Sequence, residues 1–414
     1  MPSLLSWLDF AESDRQRAMQ VIDLFREKGT VDELGFAPIR DAFADYFFPG
    51  TSTIQTRARY LLFVPWIMLR YERRGLSVQE RASKLRMRET RLINALLEGS
   101  EDPTGIIGRE AQASLRRMPS SVYWRGLHLW GIRLFAGSID QYFRRLSRDR
   151  DGPASPVLTD DGEPIGAGSR NWHPSLPPEP VNLYESATLA LSNTEAHFLR
   201  DRICTNQPGS MLAHLVNRAA DELNTDFGWD PSLQGMLPSN LCAELAHARL
   251  FAVCAWGGPL IYSRLIAAMK PGSDELLEKL DVAIADWQSQ LAIDASELDG
   301  WNRGEFWALV HRLNPRLSPR TADFAEQWIA VAKRAAAGEA VWTDERVRAM
   351  IVKREGQLKG GRARLQPDNL RARDRWQGDA GGGPMDYRWG PSQIIINDIV
   401  RGIAGSKGGE ARDA

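Results

Sequence analysis

The sequence predicts a mainly α, multi-helical protein with an irregular Gly/Arg-rich loop near its C-terminus. Three observations carry that expectation. Apolar residues recur at helical spacing through most of the chain. Capping boxes mark helix starts, and Gly or Pro marks their stops. Val, Ile and Thr never form a series of alternating strands. With 414 residues, 43% of them hydrophobic and 25% charged, the chain is ordinary globular material and not a disordered, collagen-like or disulfide-stapled one.

The elements follow in order. Ala18, Val21, Ile22 and Phe25 share one helical face, with Ser13 to Gln16 as a capping box and Gly29 as the stop. Pro38 opens a second helix through Ile39, Phe43 and Phe47, closed by Pro49-Gly50. A third begins at Thr51-Ser52-Thr53, carries Tyr60 to Tyr71 and should kink at Pro65. Leu76 and the box Ser77 to Glu80 start a helix reaching about Glu98. Residues 149–181, rich in Pro and Gly, read as an exposed linker or long loop. Helical structure restarts at Ser192-Asn193-Thr194-Glu195 and continues to about Leu298; Trp301 to Ala337 then reads as helix, Pro-containing turn, helix. Gly356 to Pro391 is Gly-rich and basic, and a last helix runs from about Ser392 to Ile403. This order suggests a basic helical domain over 1–150, a linker over 151–181, an acidic helical domain over 182–300, a C-terminal helical region over 301–405 and a disordered tail over 406–414.

Charge is unevenly spread. The 52 basic and 53 acidic side chains nearly cancel, yet residues 57–150 carry a net +10, residues 151–300 a net −13 and residues 346–375 a net +7. Two basic blocks flanking an acidic middle suggest polyanion contact, with docking of the blocks onto the acidic segment as the alternative. Three cysteines without paired spacing fit a reducing cytoplasm. The N-terminus lacks the basic start of a signal peptide, and the longest apolar run, Tyr60 to Leu69, is too short for a bilayer, so no membrane partner is expected. There is no phosphate-binding Gly-x-x-x-x-Gly-Lys-Ser/Thr loop, no His-Glu-x-x-His, no Cys-x-x-Cys and no Gly-x-Ser-x-Gly. Neither metal nor cofactor is therefore expected, and any chemistry falls to carboxylates and arginines.

Several segments suit a phosphate backbone. Arg81, Lys84, Arg88 and Arg91 are assigned to one helical face opposite Leu85, Leu92 and Leu96, as a phosphate-gripping ridge or simply a solvated face. Thr51, Ser52, Gln55, Arg57 and Arg59 compose a hydroxyl-rich helix start followed by arginines, a possible anion site unless the polar groups only cap the helix. Pro103 to Ala111, containing Arg109, loosely resembles a helix-hairpin-helix loop, and Tyr123 and Trp124 follow it. Lys359-Gly360-Gly361-Arg362-Ala363-Arg364 combines close backbone approach with cations, and Arg388-Trp389 closes a polar-aromatic cluster. Trp66, Trp130, Trp287 and Trp328 are expected in the core, whereas Trp124, Trp376 and Trp389 adjoin arginines and could stack on bases.

Ser6-Trp7-Leu8-Asp9-Phe10, Arg40 to Asp45, Pro49 to Trp66, Pro119 to Trp124 and Asp386-Tyr387-Arg388-Trp389 resemble the motifs of a bacterial family of unknown function. The resemblance spans essentially the whole chain, and its motifs are specific to the family rather than to a reaction. It implies a place in phage defence, and a relation to Brig-type glycosylases, which remove glucosylated hydroxymethylcytosine from phage DNA. DNA, with a modified base, is then the expected partner, alongside other proteins of a defence complex. No catalytic residue is carried over by the resemblance. Asp9 and Asp386, which adjoin aromatic residues, and next Asp41, one turn from Asp45, are the carboxylate candidates. The rival reading is a non-enzymatic DNA-binding or adaptor subunit.

Overall fold

The computed structural model describes residues 32–72, 75–148, 157–158, 164–165, 171–376, 378 and 383–405. Helices dominate these residues; the strands among them are the two-residue pair Val157–Leu158 and Pro164–Ile165, antiparallel to each other. The mainly α expectation holds. The first expected helix, Asp9, the Ser6 to Phe10 motif and the tail over 406–414 lie outside the described residues.

The chain divides into two compact units, each discontinuous in sequence: Met1–Ala42 with Glu244–Met385, and Phe43–Ala243 with Asp386–Ala414. This differs from the consecutive domains read from composition. Residues 182–300 share an acidic character, but tertiary contacts, which decide compactness, divide that stretch at Ala243.

In the second unit the helix Asn193–Asn206 packs against Trp389–Ala404, and the short helix Met211–Arg218 touches both. Gly402 permits the close approach, because a Cβ there would meet the Ala196 and Leu191 side chains. The helix Tyr60–Glu72 is buried all round from Tyr60 to Met68, with Pro65 within it, while Leu69 and Arg70 in its last turn are exposed. It packs against Pro119–Leu129 and Val78–Gly99. That third expected helix starts at Tyr60 and not at Thr51, since residues 51–59 form turns whose polar groups bond to other segments. The box Ser77 to Glu80 is made in both directions, and Leu85, Leu92 and Leu96 line the buried face below it. Each such side chain contributes about 1.5–3 kcal/mol of burial.

In the first unit Asp274–Ile293 packs against Pro319–Ala336, with Trp287 and Trp328 stacked at 6.4 Å between centroids. Their indole nitrogens donate to the Val253 and Cys254 carbonyls, both at an N–O distance under 3 Å (2.9 and 2.8 Å). Among the described residues one helix, Ser239–Ala268, is long and apolar enough to cross a membrane by length and composition; 78% of its most apolar window is buried inside the protein.

Candidate functional site

In the second unit a cleft of about 770 Å³ is lined by the end of the Tyr60–Glu72 helix and by the segment from Asn171 to Glu179. Sequence reading assigned that segment to an exposed linker. Instead Asn171 and Trp172 are buried, because the backbone there pairs with residues 132–134: Leu134 N–H donates to the Asn171 carbonyl, and His173 N–H to the Ile132 carbonyl, each at 2.8 Å. Pro174 sits in a turn closed by Leu176 N–H on the His173 carbonyl at 3.1 Å, and Pro177 and Pro178, which cannot donate a backbone N–H, continue the cleft wall. Trp66 Nε1 fastens it by donating to the Pro177 carbonyl at 2.8 Å.

Glu72, the last residue of its helix, brings a carboxylate to this cleft. Its Oε1 accepts from Tyr142 OH at 2.5 Å and from Asn171 Nδ2 at 3.0 Å. Tyr142 OH in turn accepts from Trp172 Nε1 at 3.0 Å. Burial, and next the Glu72 charge, push the Tyr142 hydroxyl well above its ordinary pKa, so it stays a donor. Glu72 Oε2 receives no hydrogen bond from any described residue, and Asn171 Oδ1 is buried without a partner. One carboxylate oxygen is therefore fixed and the other remains available. Trp66 and Trp172 supply aromatic lining, and Trp124 lies edge-on to Trp172 at 6.0 Å. Burial, helped by the nearby Arg202 guanidinium 2.7 Å from Nε2, lowers the His173 pKa, so this lining residue is neutral at pH 7. Arg70 closes the rim with a two-pronged pair to Glu179.

The residues singled out in the sequence are mostly engaged elsewhere. Asp386 is exposed and accepts from Arg388 N–H at 3.0 Å and Gly390 N–H at 3.4 Å, at the start of the Trp389–Ala404 helix. Asp41 pairs with its neighbour Arg40 at 3.0 Å. Arg388 bonds Asp45 Oδ1 at 2.6 Å and the Thr51 carbonyl at 3.1 Å, while Arg125 takes Asp45 Oδ2 at 2.8 Å. Tyr387 and Arg388 hold left-handed backbone angles, φ 53° and 68°, that let Tyr387 enter the core against Phe43. Trp389 and Trp376 are buried, and Trp389 Nε1 donates to the Thr225 carbonyl at 2.9 Å, so neither presents a face for a base. Trp130, Trp66, Trp287 and Trp328 are core residues, as expected.

The Thr51 to Arg59 segment is likewise closed. Thr51 and Gln55 are buried; Thr51 OH donates to the Phe48 carbonyl at 2.7 Å, and Gln55 Nε2 donates to the Gly50 carbonyl at 3.1 Å. Ser52 Oγ is buried and unpartnered. Arg57 chelates Asp398, and Arg59 pairs with Glu195 at 2.9 Å. Tyr123 OH collects Thr56 and Arg57 N–H groups at 2.9 and 3.1 Å, which makes it a clamp on this turn. Arg109 sits at the surface beside Glu110. Trp124 is half-buried, with Arg133 stacked 4.2 Å from its ring centre.

Two basic clusters need correction. Arg81 is on the buried face with Leu85, one turn away, not opposite it: an i, i+4 pair shares a face. Its guanidinium bonds the Tyr71 and Leu76 carbonyls and Ser147 Oγ. Lys84, half-buried, makes no hydrogen bond or ion pair among the described residues. In the first unit Lys359 and Arg364 both pair with Glu33 and both donate to Tyr262 OH, at 2.8 and 3.1 Å. Glu355, fully buried, accepts from Tyr262 OH at 2.6 Å and from the Arg364 and Leu365 N–H groups. This network folds the loop on itself and leaves Arg362 exposed without a described partner. Periodicity places a cation on a face, but a Glu33 more than three hundred residues away in sequence gives no local sign of its pairing. Among the described residues, no group of three or more His, Cys, Asp or Glu side chains is placed to hold a metal.

The model of the family described as "Family of unknown function (DUF6361)" matches residues 2–401 of this chain. No curated protein and no solved structure matches it.

Proposed function

The chain belongs to the DUF6361 family, and we propose that it acts on DNA as a glycosylase for a modified cytosine, with the Glu72 cleft as its reaction pocket. The observation that carries this reading is the half-fixed carboxylate: Oε1 is held by Tyr142 and Asn171, while Oε2 accepts no hydrogen bond from the described residues, in a cleft that Trp66 and Trp172 also line. Base excision needs such a group. A carboxylate stabilises the positive charge that develops on the sugar as the glycosidic bond breaks, and it accepts a proton from the attacking water. The extruded base needs aromatic surface for stacking and amide or carboxylate groups for its edge. Trp66, Trp172 and Asn171 line the cleft but are themselves buried, so an entering base would meet mainly the exposed lining, Leu69, Pro174 and Pro178, and a cleft of about 770 Å³ has room for a bulky modification. A phage-defence role in the cytoplasm follows from the resemblance of the motifs, and three cysteines without disulfides suit that compartment.

The experiment incubates the protein with modified and unmodified phage DNA in the absence of metal, then treats with alkali. Alkali-dependent breaks confined to modified DNA are expected. Glu72→Gln keeps the donors' geometry but loses the charge, and base release should fall at least about 100-fold. Intact strands with retained DNA binding would leave the adaptor reading, and metal-dependent breaks before alkali would indicate a nuclease.

A further inference from the structure

Three arginines converge on one ring in the second unit, at the edge of the cleft. The guanidinium carbons of Arg70, Arg88 and Arg91 stand 5.4, 4.9 and 5.5 Å from the centre of the Tyr184 ring. A tyrosine face attracts each cation, but three like charges within this distance repel one another. Among the described residues only Arg70 of the three is matched by a carboxylate, Glu179. Arg88 has the Tyr71 hydroxyl at 3.3 Å and Arg91, which is exposed, has the ring alone. The cluster therefore carries two cations in excess. The Tyr184 hydroxyl at its centre is shut off from solvent and meets no hydrogen-bond partner. An unmade hydrogen bond of that kind costs about 1–3 kcal/mol.

Both deficits have the same remedy. We propose that Arg88, Arg91 and Tyr184, with Arg70 at the border of the cleft, form a cradle for a phosphodiester group of the nucleic-acid strand whose nucleotide enters the cleft. A phosphate offers several acceptor oxygens and a negative charge, and planar guanidiniums engage it with paired N–H groups. For a phosphate oxygen to become the acceptor that the buried Tyr184 hydroxyl lacks, the cluster must open as the strand binds. Arg70 and Glu179 belong both to the cluster and to the lining of the cleft, so a phosphate held here is adjacent to a base held there. The assignment of the phosphate to a DNA strand rests on the reading of the cleft given above.

Fluorescence anisotropy of a short labelled single-stranded oligonucleotide tests it on the full chain. The double variant Arg88→Gln/Arg91→Gln should weaken binding at least tenfold and flatten the salt dependence by about 0.7 per lost phosphate contact. Tyr184→Phe, which keeps the ring and loses only the unpartnered hydroxyl, should weaken binding several-fold while raising the melting temperature. Unchanged affinity in both variants overturns the cradle. Inorganic phosphate displacing the oligonucleotide at concentrations too low for ionic strength to matter would overturn its assignment to a strand. Loss of binding in the variants, with no base release by the wild-type protein, would sink the glycosylase and leave the cradle standing. Base release with undiminished variant binding would do the opposite.

Discussion

Glu89 is a carboxyl group in the core, and its burial sets its behaviour. Desolvation raises its pKa to about 7, although the Ser120 N–H and hydroxyl, at 2.6 and 3.1 Å, pull the other way. In the unfolded chain it titrates near 4.5. Between these values the folded state holds a proton that the unfolded state has released, so this group makes stability fall as pH rises from 4.5 to 7, with no further loss above. Glu89→Gln should remove that fall, on the order of 3 kcal/mol. Chemical denaturation of both proteins at pH 5 and pH 8 checks it; equal pH dependence would rule the group out as the source. Nothing in the sequence marked Glu89, since a glutamate among arginines on a helix reads as surface. Glu72 was equally hidden. Its chemistry comes from Tyr142 and Asn171, which are 70 and 99 residues further along the chain.

Helix starts were the most legible elements because their signals are local. Ser192 and Glu195, where helical structure is expected to restart, form a capping box at the start of Asn193–Asn206. Unread in the sequence was the second task of Glu195, whose Oε1 pairs with Arg59 while its Oε2 accepts the Ser192 N–H. Both charged side chains are largely buried, at 12% and 6% exposure. Glu195→Ala should thus cost about 3 kcal/mol, because it strands a buried guanidinium, whereas Ser192→Ala should cost about 1 kcal/mol. Urea midpoints distinguish the two, and similar losses would show the ion pair to be immaterial. The segment 171–181 failed for the opposite reason. Proline density gives the absence of a helix correctly, yet burial there depends on backbone pairing with 132–134, which composition does not encode.

At the scale of the molecule, a net charge of −1 conceals basic blocks, and much of their charge is neutralised within each unit. Arg57 and Arg59 meet Asp398 and Glu195 in one unit; Lys359 and Arg364 meet Glu33 in the other. Of these three acidic partners Glu195 alone lies in the acidic 151–300 segment, so most of this neutralisation is by other carboxylates and not by docking on that segment. The proposed binding to DNA should then show a shallow salt dependence. Arg362→Ala should reduce the slope for duplex DNA by about 0.9, as one phosphate contact is lost. Arg364→Gln should lower the melting temperature instead. A flatter slope for Arg364→Gln with unaltered stability would reverse these roles.

The helix Trp389–Ala404 packs against Asn193–Asn206 but leaves the ribosome only after all of Glu244–Met385 has been made. During synthesis, the Phe43–Ala243 stretch must wait with Leu191, Leu199 and other apolar groups lacking part of their final cover. Completion of that unit therefore waits until Glu244–Met385 has been made, and a nascent chain stalled within that stretch would be a target for chaperones and proteases.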